Sequence, residues 1–148
     1  VSGGSGAALF VLAAGIAAAL QVAINGKLGG RIGTLEAATF QTAIAFLLFA
    51  SVTLILRGGF GGVFSALKEP PWLWLGGFMG FVIVSAITYA PGRISNLAVA
   101  GILIAAQLLM AAIIDAFGLF GFDRLGLTWG RVAGLVLLAA GAALVLKR

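Results

Sequence analysis

The chain has 148 residues, 62% hydrophobic and 9% charged, with a net charge of +5 and a mean hydropathy of +1.21. Soluble domains carry about 45–50% apolar and about 25% charged residues, so this composition excludes a water-soluble surface and describes an integral membrane protein of one compact bundle. The chain lacks cysteine and histidine, which excludes disulfides and thiolate metal sites and removes the usual general base and the commonest metal ligand.

Residues Val1-Ser2-Gly3-Gly4-Ser5-Gly6 are Gly/Ser-rich and are set aside as a linker or fusion scar, leaving 7–148 as a single transmembrane domain. The first span is expected over about 7–25. Gln21 and Asn25 are i, i+4 neighbours on one face, which Ala14, Ala17 and Ala18 extend. Two readings stand for this pair, amide bonds between helices or a contact to a solute. The stretch Gly26-Lys27-Leu28-Gly29-Gly30-Arg31-Ile32-Gly33 reads as a basic, glycine-rich turn; its spacing is not that of a phosphate loop.

The second span covers about 35–56. Thr34 is the expected N-cap, and Glu36 then falls in the first turn, where a carboxylate suits the helix dipole. That explains Glu36 structurally, with Lys27 or Arg31 as partner; the competing reading is a coupling or binding role. Gln41 lies one turn deeper. Phe60, Phe64 and Leu67 recur at i, i+4, i+7, the pattern of a short piece lying in the interface plane. Pro70-Pro71 opens a third span, about 71–90, with Trp72 and Trp74 as anchors at one mouth and Tyr89 at the other. Gly76 and Gly80 form a GxxxG pair there, expected to pack against another helix.

The fourth span, about 97–115, is the most informative. Gln107, Ala111 and Asp115 share one face at i, i+4, i+8. Amides and carboxylates are expensive in a bilayer and mark working sites by default. The structural alternatives are a helix–helix bond for Gln107 and a position in the wet interface for Asp115. Gly101 and Ala105 add a small-residue face. The helix ends at a knot of glycine and phenylalanine, Phe117 to Phe122. A fifth span, about 129–146, carries Gly130, Gly134 and Gly141 on nearly one face, and Lys147-Arg148 form a basic stop.

Five apolar segments of about 18–22 residues each suffice to cross a hydrocarbon core of about 30 Å. The fold class is therefore an all-α, five-transmembrane-helix bundle. Five spans would place Arg57, Lys68, Arg124 and Arg131 on one side and Lys27, Arg31, Arg93, Lys147 and Arg148 on the other, four basic residues against five. Orientation is normally set by a clear Lys/Arg excess. Near-equality fits a chain that inserts both ways, and two opposed copies would form an inverted-topology pair. A fixed orientation imposed by a partner chain is the alternative.

Several stretches together resemble a known family. They are Pro71-Trp72 with Gly76-Gly77 and Gly80, Ala90-Pro91-Gly92-Arg93, Gln107-Leu108, Asp115-Ala116-Phe117-Gly118-Leu119-Phe120-Gly121 and Arg131-Val132-Ala133-Gly134, joined by Ala14-Gly15, Gln21 and Asn25. The chain resembles the YdcZ-type inner-membrane exporters of the drug/metabolite transporter (DMT) superfamily from about Ala7 to its end. The resemblance implies a bacterial inner-membrane half-transporter of five helices, half of a DMT-like inverted repeat. The chain has Ala106 where resembling members often have glycine, and Phe40-Gln41 where they tend to have Ser-Phe. It also lacks the first-span glutamate of the small multidrug transporters, so their cation mechanism is not implied.

The resulting expectation is a small-molecule exporter working as an antiparallel dimer by alternating access, its partner a second copy or a paralogue. Gln21, Asn25, Gln41 and Gln107 would bind substrate, and Asp115 and Glu36 would couple transport to an ion. The alternative is a structural or accessory subunit of a larger membrane complex. An enzyme is not expected, because Glu36, Glu69, Asp115 and Asp123 assemble no nucleophile–base pair or metal cage. No cofactor or metal is expected, and the bilayer rather than nucleic acid is read as the partner of the basic excess.

Overall fold

The computed structural model describes residues 2–126 and 128–146; the Lys147-Arg148 stop lies outside them. All regular structure among the described residues is helical, and the chain divides into two compact units, Val1–Arg93 and Ile94–Arg148. The first unit holds α1 (Ser2–Ile32), α2 (Thr34–Arg57), the short α3 (Gly61–Ser65) and α4 (Leu75–Tyr89). The second holds α5 (Asn96–Phe117) and α6 (Trp129–Leu146). Four segments are long and apolar enough to cross a membrane, namely Gly4–Ile32, Thr34–Arg57, Pro71–Gly92 and Asn96–Phe117. Trp129–Val145 is a shorter apolar helix.

The glycine-rich turn expected over 26–33 is instead the last two turns of α1. Glycine weakens a helix interior by about 1 kcal/mol relative to alanine, but here it lets the end of α4 come close. A Cβ on Gly29 would stand 2.9 Å from Thr88 Cγ2 and 3.1 Å from the Thr88 carbonyl oxygen, and one on Gly26 would run into the Pro91 ring. The chain reverses at one non-helical residue, Gly33, whose φ of 104° an L side chain rarely adopts. Gly33, not Thr34, is the N-cap of α2, and Glu36 does fall in the first turn. Its carboxylate lies where a Cβ on Gly33 would be, so glycine is required there twice over. Among the described residues no ion pair joins Glu36 to Lys27 or Arg31.

The core of the first unit sits at the Gly33 end. Val22 and Asn25 of α1, Ala37 and Ala38 of α2, and Ile87 and Thr88 of α4 are buried there. Thr88 Oγ1 donates to the Val84 carbonyl at 2.7 Å. Beyond Tyr89, Arg93 turns back, donating to the Tyr89 carbonyl at 2.7 Å with its guanidinium 3.4 Å above the Tyr89 ring. An aromatic anchor and a cation thus form one unit at the expected interface. At the other mouth, Trp74 Nε1 donates to the Ala66 carbonyl at 2.9 Å, tying the interfacial piece to the start of the third span.

In the second unit α5 and α6 pack on each other, and a Cβ on Gly101 would meet Ala142 at 3.7 Å. Ser95 caps α5, its Oγ accepting from Ala98 N–H at 3.1 Å. The Phe/Gly knot is a C-terminal cap. Gly118 is left-handed and donates to the Ile114 carbonyl, Leu125 N–H donates to that of Asp115 at 2.9 Å, and Arg124 Nε donates to that of Phe117 at 3.2 Å. Three otherwise orphaned carbonyls are satisfied, one by a cation that suits the negative end of the helix dipole.

The helix-packing glycines need correction within the chain. Of Gly76, Gly80, Gly101, Gly130, Gly134 and Gly141, only Gly101 has a neighbour where a Cβ would stand; the other five meet nothing within 4 Å. Close approach depends on the facing element, and α4 is approached closely at its end, through Thr88 and Pro91, instead of at its GxxxG face.

Candidate functional site

Above the packed end the three long helices of the first unit separate and leave a partly open cavity of about 640 Å³. Small-molecule sites fall at about 300–1,000 Å³. The lining includes Gln21 from α1, Thr39, Gln41, Thr42 and Phe46 from α2, and Gly77, Gly80, Phe81 and Ser85 from α4. The α4 residues are near the middle of the Pro71–Gly92 segment, so the cavity reaches mid-depth. Leu35 and Ala38 carry the lining down to the Gly33 end, beside the packed residues Val22, Ala37, Ile87 and Thr88.

Helix geometry explains the lining. Thr39 and Thr42 lie one turn apart and flank Gln41. Gly77 and Gly80 are likewise one turn apart, and with no side chains they widen the space that Phe46 and Phe81 border. Polar lining is sparse: two amides, two threonines and Ser85, whose Oγ is buried and makes no hydrogen bond among the described residues.

The expected site residues are only partly brought together. Gln21 and Gln41 line one cavity. Asn25, one turn from Gln21, is fully buried in the packed end, and neither of its amide atoms has a hydrogen-bond partner among the described residues. Glu36 is exposed beside a shallow depression formed with Leu35, Thr39, Phe40 and Ala43. Gln107 is exposed on α5. Asp115 is half-buried, with Arg131 Nη1 3.8 Å from its carboxylate. Thr39, Thr42 and Ser85 were missed. Their signal was a hydroxyl at helical spacing from a glutamine or a glycine, weak on its own because hydroxyls in spans commonly bond their own backbone, as Thr88 does.

These features define a multi-pass helical membrane protein with a solute-sized, uncharged cavity at mid-depth. Residues 6–144 match the DMT_YdcZ family, described as "Putative inner membrane exporter, YdcZ". The chain belongs to that family and is a multi-pass inner-membrane protein. Comparison with curated proteins and with solved structures gives no match.

Proposed function

We propose that the chain is one half of a small-molecule exporter in which two copies, inserted in opposite directions, enclose a shared path and work by alternating access. The carrying observation is the solute-sized, uncharged cavity of α1, α2 and α4, which reaches mid-depth. A site near the midplane is where transporters built from inverted repeats bind their solutes. In this reading α6 is the fifth span: its 18 residues extend about 27 Å, close to the hydrocarbon thickness. The near-equal basic charge on the two sides supports insertion both ways. Gln21 and Gln41 bind the solute. The unpacked faces of Gly130, Gly134 and Gly141 are available to a second chain.

Reporters fused to the C-terminus, one active only in the cytoplasm and one only in the periplasm, test the arrangement. Comparable signal from both is expected. Signal from one side alone would overturn the antiparallel homodimer and favour an accessory subunit oriented by a partner chain.

A further inference from the structure

We infer that the cavity selects an uncharged, largely apolar solute bearing one or two hydrogen-bonding groups; this rests on the transporter reading of that cavity. None of its lining residues is charged. All four acids lie elsewhere: Glu36 beside the shallow depression, Glu69 in the connector before Pro70, and Asp115 and Asp123 in the second unit. An ion drawn into so apolar a space would lose its hydration and gain no countercharge from the lining.

The polar groups that are present suit a neutral guest. Amides and hydroxyls both donate and accept, so Gln21, Gln41 and Ser85 can meet a carbonyl, an amide or a hydroxyl. Ser85 is the most specific of them. One turn along the same helix Thr88 spends its hydroxyl on the Val84 carbonyl, whereas the buried Ser85 Oγ has no protein partner among the described residues. A buried hydroxyl without a bond is costly, and once Ser85 turns its Oγ toward the cavity it borders, a solute atom that bonds it recovers that cost. Phe46 and Phe81 supply apolar walls for a ring or chain.

The test uses three tritiated compounds of one shape: N-acetylphenylalaninamide, uncharged; N-acetylphenylalanine, anionic; and phenylalaninamide, cationic at about pH 6. Equilibrium binding to the full-length protein in nanodiscs is measured by scintillation proximity, with Gly80→Leu and Ser85→Ala alongside. A Cβ at Gly80 meets nothing within 4 Å and Gly80 lines the cavity, so Gly80→Leu puts a side chain into it. The uncharged compound is expected to bind at least about tenfold more tightly than either ion, about 1.4 kcal/mol. Ser85→Ala should weaken it several-fold and Gly80→Leu should abolish it. An ion that binds as tightly as the amide, and is lost with Gly80→Leu, would overturn the solute class and leave the cavity as the site. Binding of all three that is indifferent to Gly80→Leu would overturn the cavity itself and the transporter reading with it.

Discussion

At one end of the first unit Gly26 and Gly29 are pressed against Pro91 and Thr88, and nearer the middle of the Pro71–Gly92 segment Gly77 and Gly80 face open space. The same residue type, on helices of the same bundle, makes a seal in one place and a chamber in the other. Small residues permit close approach, but the approach happens only where a facing element is held near. Gly33 joins α1 to α2 through one residue, so their neighbouring ends stay together, and the element that meets Gly26 and Gly29 there is the end of α4 with the turn after it, at Thr88 and Pro91. The polar groups divide in the same way. Asn25 in the seal is fully buried and unpartnered, whereas Gln21 and Gln41 border the chamber.

The sharpest way to break this contrast is to enlarge a sealing glycine. Gly29→Leu should destabilise the protein by about 3 kcal/mol, since its Cβ would meet Thr88 backbone as well as side chain; a thermal melt in detergent reads it. Gly33→Ala should cost about 2 kcal/mol, from its positive φ and from displacing the Glu36 carboxylate. Gly80→Ala should act oppositely and raise stability by about 1 kcal/mol, because a helical glycine is replaced with no contact to disturb. A loss comparable to that of Gly29→Leu would mean that the GxxxG face is packed after all.

Asn25→Ala should change stability by less than about 1 kcal/mol, because relief of an unpartnered amide offsets the small void left behind. A loss above about 2 kcal/mol would show that the amide is hydrogen-bonded in the membrane. The smallest effect is expected outside this unit. Asp115→Asn removes a half-exposed ion pair worth under about 1 kcal/mol, and flux into proteoliposomes should persist. Loss of gradient-driven flux with assembly spared would instead make Asp115 a coupling group.

Composition alone gave the membrane class, and the apolar runs located α2, α4, α5 and α6 to within a few residues, while α1 runs five residues earlier and seven later than the expected 7–25. The stretch 26–32 was misread because glycine signals a break when only the local chain is considered, whereas here Pro91 and Thr88 stabilise it as helix from outside. The GxxxG of α4 failed for the converse reason, as no facing element meets it within the chain. Gln21 and Gln41 were legible as polar residues in apolar spans. That they border one cavity while Asn25 does not depends on where three helices part, which residue spacing does not encode. The ion pair of Asp115 needed Arg131, sixteen positions on and brought close by the turn around Gly118.

The single-residue link at Gly33 also limits how the molecule can move. Two Cα steps of about 3.8 Å separate Ile32 from Thr34, so the neighbouring ends of α1 and α2 stay within about 8 Å of each other. The two helices thus share a pin at Gly33, about which the pair can open like the legs of a compass. The connector of residues 58–74 leaves α4 much longer slack. The end of α4 is held all the same, because Thr88 and Pro91 lie against Gly29 and Gly26 of α1.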